Sequence, residues 1–199
     1  MRKFGQKLLC IFVMVCIAIP SLAQNVDDML RLRAAQKVKQ MCDYIEFMAN
    51  PKNGLSTRKY YCNKALNLFI NKGDEYEENG VTKEGVLMEV TSVNRKRTFP
   101  KLIKTYFNGL MMLNYDAVQI STTEVSEMRV SRLREVENNL YVCTCYFEQA
   151  FAGYRDGRPI YKDITRKRVK CYVRKEQTED GTEYIVMLGD VTAIDTKRM

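Results

Sequence analysis

The seven residues YVCTCYF, Tyr141 to Phe147, carry two cysteines one residue apart, and KCYV, Lys170 to Val173, carries a third. Thiols spaced in this way can ligate a metal, exchange with a disulfide, or simply fill a core. Residues of a strand alternate faces, so Tyr141, Cys143, Cys145, Phe147 and Phe151 share one side of the first run. Val169, Cys171 and Val173 share one side of the second, against Arg168, Lys170 and Arg174 on the other. With both apolar sides turned inward, a turn near Gly157 brings Cys171 opposite or diagonal to Cys143 or Cys145. Zinc is not expected, because three cysteines on neighbouring strands lack both the usual spacing and a fourth ligand. Nucleophilic use of the C-x-C pair is not expected either, since no helix terminus is at hand to lower a thiol pKa.

Two readings of the cysteines remain open. One is disulfides, Cys171 with Cys143 or Cys145, and Cys42 with Cys62, which an antiparallel pair of helices sets at similar height; of the seven cysteines five lie beyond residue 23, and one of those five is then left over. The other is five small buried hydrophobes.

The chain has no histidine, which removes Ser-His-Asp hydrolysis, Cys-His proteolysis, His-ligated metals and the usual neutral general base. Phosphate-binding glycine loops, dinucleotide fingerprints, nucleophile elbows and zinc-protease motifs are all missing from the sequence. Acid–base chemistry would fall to Asp43, Tyr44, Asp116, Tyr146, Asp163 and Asp190. Each also has a structural reading: Asp43 as a helix-surface charge, Asp163 and Asp190 as solvent-facing strand or strand-end residues, the tyrosines as core edges. No catalytic residue, metal or cofactor is assigned on these grounds.

MRKFGQK carries three positive charges, and the apolar LLCIFVMVCIAIPSLA that follows ends in small residues. This pattern predicts a secretory signal peptide over residues 1–23, cleaved between Ala23 and Gln24, and hence a periplasmic or extracellular protein. An apolar run of about sixteen residues, interrupted by Pro20, is short for a membrane span of roughly twenty. No stable span is expected after cleavage. The remaining 176 residues suit a single domain, 24–199. The leader holds three of the 32 basic residues, which leaves 29 against 24 acidic. That excess is too small and too scattered to mark nucleic-acid binding. The densest basic run, Thr165 to Lys170, alternates with strand periodicity and reads as a solvated face.

The elements that must position these groups divide into helices and then strands. Residues 25–49 read as a helix capped by Asn25 and stopped at Asn50 before Pro51, burying Leu30, Ala34, Val38, Met41, Ile45 and Met48 as one stripe. A second helix, capped by Ser56 and closed by Gly73, turns Tyr61, Ala65, Leu68 and Phe69 inward. An Asn79-Gly80 turn and a strand near Val86 to Val93 follow. A third helix starts at FPKLIKTYFNGL with Pro100 in its first turn, and packs through Leu102, Ile103, Tyr106, Leu110 and Leu113. Strands are expected at Asp116–Thr123, Glu127–Val136, Leu140–Ala152, Pro159–Lys175 and Glu183–Ile194, with short Asn-, Asp- or Gly-bearing turns between them. Long strands joined by short turns form an antiparallel meander with helices on one face, an α+β layout.

This order, with FPKLIKTYFNGL ahead of YVCTCYFEQAF, GRPIYKDITRKRVKCYV and EYIVMLGDVTAI, resembles the NTF2-like (cystatin-like, SnoaL-like) superfamily over most of residues 26–195. It is most similar to exported NTF2-like proteins of Bacteroidetes-type bacteria. The resemblance implies a cone, about three helices packed on a strongly curved, mainly antiparallel sheet, with a cavity at its open end rimmed by Tyr44, Tyr106, Tyr146 and Tyr172. It further implies a non-enzymatic module for a small apolar ligand or a protein partner, with a homodimer as one assembly. Two alternatives are an isomerase- or dehydratase-like enzyme using Asp/Tyr chemistry and a structural subunit of an envelope complex. A buried aspartate with an acid donor across a cavity marks the enzyme, an open apolar cavity without one the binding module, and a filled interior the structural role.

Overall fold

The computed structural model describes the backbone of residues 3–94 and 97–199, and the side chains from residue 25 onward. Helix α1 (Lys3–Ala49) is followed by α2 (Leu55–Leu66), and the two pack side by side. The expected stripe of α1, from Leu30 to Met48, is buried throughout. Asn25 does not cap this helix, because the backbone is already helical from Lys3 and the hydrogen-bond ladder runs through it. The leader expected over residues 1–23 falls on side chains outside the described ones. Ser56 is not a cap either: Gly54, in an extended conformation, precedes α2, and Arg58 N donates to Gly54 O at 3.0 Å, so Ser56 sits one residue into the first turn.

Helix α2 also ends sooner than its periodicity suggests. Leu68 and Phe69 do turn inward, but beyond the helix, Leu68 in the turn that ends it and Phe69 as extended chain: Leu188 N donates to Leu68 O at 2.8 Å, which ties this segment to the sheet.

A small hairpin joins β1 (Tyr76–Glu78) to β2 (Val81–Lys83) through Asn79 and Gly80, both with positive φ (51° and 72°), the backbone that Asn-Gly adopts cheaply. Next come β3 (Leu87–Val90), β4 (Phe99–Leu102) and the short α3 (Ile103–Leu110). Pro100 thus lies in a strand and not in a helical turn. It sits opposite Glu89 on the outermost strand of the sheet, where a residue without an N–H costs no ladder bond. Helix α3 begins at Ile103, whose N–H donates to Val86 O at 2.8 Å, and buries Ile103, Phe107 and Leu110, while Leu102 stays exposed.

The remaining strands are β5 (Ala117–Thr122), β6 (Arg129–Val130), β7 (Arg134–Glu137), β8 (Leu140–Arg155), β9 (Arg158–Thr178) and β10 (Gly181–Arg198). The strand expected over Glu127–Val136 is broken into the two short pieces β6 and β7, which pair with successive stretches of β8 beyond β5. The eight-stranded sheet runs β4-β3-β10-β9-β8-β5; its pairings are antiparallel except for β3 with β10. Register shifts between Leu188 and Val191 and between Ala193 and Asp195 are bulges of the kind that bend a sheet. The expected α+β architecture is therefore observed, with three helices against one side of a mostly antiparallel, curved sheet. Among the described residues no helix is long and apolar enough to cross a membrane.

Candidate functional site

Strands β8 and β9 meet at a two-residue turn, Asp156-Gly157, with positive φ at both (50° and 71°). The turn pairs Arg155 with Arg158 and Tyr154 with Pro159; a one-residue bulge between Tyr154 and Gly153 then shifts the register, so that Cys143 lies opposite Cys171, Cys145 opposite Val169, Phe147 opposite Lys167, Gln149 opposite Thr165 and Phe151 opposite Asp163. Successive odd residues face the helices. The face therefore changes character along its length, from cysteines and Val169 at the closed end to Gln149, Asp163, Thr165 and Lys167 farther on, all four of them buried.

Above this polar stretch lies a cavity of ≈ 530 Å³, within the range of small-ligand sites. The tail of α3 and the residues after it supply an apolar wall of Leu110, Leu113 and Tyr115, with Val90 and Phe151 from the sheet. Tyr106 on α3 and the pair Ser92 and Tyr161 bring hydroxyls to it. Lys101, Glu89 and Asn94 also line it.

Two hydrogen-bonded groups occupy the sheet side. In the first, Tyr161 donates to the Asp163 carboxylate, while its hydroxyl oxygen also meets Ser92 Oγ at 2.8 Å and Val93 N at 3.3 Å. In the second, Lys167 Nζ donates to Gln149 Oε1 at 2.8 Å. The Gln149 amide nitrogen has no partner among the described residues. Burial raises the Asp163 carboxyl above its ordinary range, with the Tyr161 hydrogen bond and the Lys167 charge opposing. Burial likewise lowers Lys167, with Cys42 and Asp163 opposing. The Tyr161 and Tyr106 hydroxyls are pushed upward, first by desolvation, so both stay protonated donors at neutral pH. An enclosed carboxylate, an enclosed amine and phenol donors thus share one ligand-sized space.

No protein-family model matches the chain, and no curated protein matches it. Among solved structures the chain is similar to a candidate scytalone dehydratase from Novosphingobium aromaticivorans, with 11% identity and a TM-score of 0.42 over 88% of this chain and 91% of that one. It is also similar to the Kfla4162 protein from Kribbella flavida, with 11% identity and a TM-score of 0.37 over 83% of this chain and 93% of that one.

Of the four tyrosines expected at a rim, Tyr106 lines this cavity. The other three lie elsewhere. Tyr44 packs against Tyr61 with ring centroids 5.6 Å apart and accepts from Gln40 at 3.0 Å. Tyr146 faces the opposite side of β8, beneath the Arg129 guanidinium at 4.7 Å. Tyr172 is buried at the other end of the sheet, where it and Lys170 donate to Glu78 and its ring meets Tyr76 edge-on. Asp43 is paired with Lys39 on the helix surface, as its structural reading has it, and Asp116 and Asp190 accept backbone N–H groups of Asp156 and Leu87.

All five cysteines among the described side chains, Cys42, Cys62, Cys143, Cys145 and Cys171, are buried free thiols. Cys143 and Cys171 stand directly opposite each other, one of the arrangements that parity left open, as free thiols and not as a disulfide. Burial pushes Cys42 to about 11 and Cys145 to about 12, so neither supplies a thiolate at neutral pH. Among the described residues no cluster of Cys, Asp and Glu is arranged to hold a metal.

The readings of Asp163 as solvent-facing and of Thr165–Lys170 as a solvated face are both corrected. Arg166 and Arg168 do face solvent, but Asp163, Thr165 and Lys167 are buried at 6%, 5% and 8% exposure. The signal was present in the numbering, because these three share odd parity with Val169, Cys171 and Val173. Charge concealed it, since a lysine inside a sheet face is rare.

Proposed function

We propose that this chain is an exported NTF2-like module that holds one small, largely apolar molecule in the cavity between α3 and the polar stretch of β8 and β9. The observation that carries this reading is the cavity itself, ligand-sized, with Leu110, Leu113, Val90 and Phe151 on its walls and hydrogen-bonding groups gathered on one side. Apolar walls with a few placed polar groups are the usual make-up of a small-molecule site. The helix-and-strand order and the curved sheet support the NTF2-like assignment, and the basic start, apolar run and small-residue end of residues 1–23 support export. A depression of ≈ 540 Å³ between α1 and β10 is a weaker candidate, since Arg33, Gln36, Lys37, Gln40 and Glu183 line it and no polar group is buried there. Native mass spectrometry of the purified chain, set against the same sample denatured, tests the proposal. One equivalent of a small molecule, co-purified or added as 1-octanol, should ride on the native ion and leave on denaturation; a bare native ion at saturating octanol argues against it.

One observation favours a second reading, proton transfer on the bound molecule. Asp163 is a buried carboxyl raised above its ordinary range, with a phenol donor beside it in the same cavity, the pairing that general acid–base chemistry uses. Deuterium exchange at carbon next to the carbonyl of a bound ketone, lost in Asp163→Asn, would support it; exchange no faster than in buffer would remove it.

A further inference from the structure

The sheet side of the cavity is unbalanced in its hydrogen bonding, and the imbalance has a sign. Lys167 is 8% exposed and Gln149 6%, and their one mutual bond, Lys167 Nζ to Gln149 Oε1, already engages the amide oxygen. What remains on that spot is donors: the Gln149 Nε2 hydrogens, which have no partner, and the other N–H bonds of the lysine ammonium. Among the described residues Lys167 makes no ion pair. A buried ammonium held by a neutral amide alone leaves a charge uncompensated, a costly arrangement that an incoming anion relieves. The other charged group facing this space from β9, Asp163, is four residues away, roughly 13 Å along the strand at about 3.3 Å per residue, and is engaged by Tyr161. The two ends of the polar stretch are therefore distinct, an acceptor end at Asp163 and a donor end at Lys167 and Gln149.

We infer that the molecule held in the cavity is an apolar carboxylic acid, its carboxylate seated on Lys167 Nζ and Gln149 Nε2 and its hydrocarbon part against Leu110, Leu113 and Phe151. The inference rests on the binding reading above and adds the head group. Two donors on two side chains match the two oxygens of a carboxylate, and hydrogen bonds to charged groups are the strong ones. A neutral alcohol uses the same walls but leaves the ammonium uncompensated. An amine places a second cation beside Lys167.

Isothermal titration of the full chain at neutral pH with octanoate, 1-octanol and octylamine separates the outcomes, because the three share one tail. Octanoate should bind about tenfold or more tighter than octanol, the scale of a charged hydrogen bond, and octylamine weakest. Gln149→Glu, which keeps the side-chain size and gives Lys167 an internal counter-ion, should abolish the preference for octanoate over octanol, and Lys167→Met should do the same. Equal binding of octanoate and octanol to the unaltered chain overturns the head-group assignment and leaves the cavity reading standing. Preference for octylamine overturns it in favour of the Asp163 end. Binding of none of the three overturns the cavity reading and this inference together. The comparison on the unaltered chain depends on no variant, so a variant that misfolds leaves the test intact.

Discussion

Tyr161 donates its phenolic hydrogen to the Asp163 carboxylate two residues along the same face of β9, and the same hydroxyl meets Ser92 Oγ at 2.8 Å across the sheet. The contact joins β9 to the loop after β3 and gives a buried carboxyl its one side-chain donor among the described residues. Tyr161→Phe removes that donor and leaves Asp163 enclosed without it, at a cost of about 1–3 kcal/mol. Urea unfolding at neutral pH measures the loss, and a midpoint unchanged by the substitution contradicts this account of the pair.

The pH dependence of stability follows from the direction of the Asp163 shift. Its folded-state pKa lies above the unfolded value, so the folded chain binds more protons in the interval between them. The stabilisation is complete below the unfolded carboxyl pKa of about 3.9 and is lost as pH rises through the raised folded value. Asp163→Asn should flatten this part of the stability curve. Unfolding free energies of the two proteins, compared from pH 4 upward, should converge in slope only above the folded pKa of Asp163.

Gly153 on β8 has no room for a side chain, because an added Cβ would come within 2.4 Å of the ring of Tyr115, which lines the cavity. Gly153→Ala should displace that ring, lower stability by about 1–3 kcal/mol as overpacking does, and weaken ligand binding. Titration with the same apolar probe before and after substitution checks this. Unchanged affinity would mean that Tyr115 does not shape the space.

Deep in the closed part, Phe107 on α3 is fully buried and meets Phe69 edge-on at 6.0 Å. Phe107→Ala should cost about 3–5 kcal/mol in thermal or urea unfolding. A loss under 1 kcal/mol would mean that α3 is not anchored as described.

The five cysteines should behave as core. In the folded chain Cys42 and Cys145 should resist iodoacetamide near pH 8, since burial holds their thiols protonated, and unfolding should expose all five as alkylatable thiols. Peptide mapping that finds Cys143 and Cys171 joined would contradict this.

Parity made much of this legible from sequence. The inward stripe of α1, the Asn79-Gly80 turn and the shared inward face of Cys143, Cys145 and Cys171 follow from periods of 3.6 and 2 combined with turn chemistry, whereas the choice of Cys143 as the partner of Cys171 depends on the bulge between Gly153 and Tyr154. The same parity runs on through Lys167, Thr165 and Asp163, yet polar side chains on an inward face read as surface until tertiary packing encloses them. The placement of Pro100 failed because partners distant in sequence decided it, Ile103 on Val86 and Pro100 beside β3, whereas the Ser56 cap missed by two residues because α2 already starts from Gly54. The tyrosine rim failed because a tyrosine suits either side of a sheet, and Tyr146 takes the outer one.

The central claim, one apolar molecule in the space between α3 and the β8–β9 floor, is tested most directly by methyl NMR of the leucine- and valine-labelled chain titrated with 1-octanol. Saturable shifts should concentrate on Leu110, Leu113 and Val90 and be absent from Leu30 and Val38 in the α1 core. Shifts confined to Val186 in the α1–β10 depression, or no saturable shift at all, would contradict it.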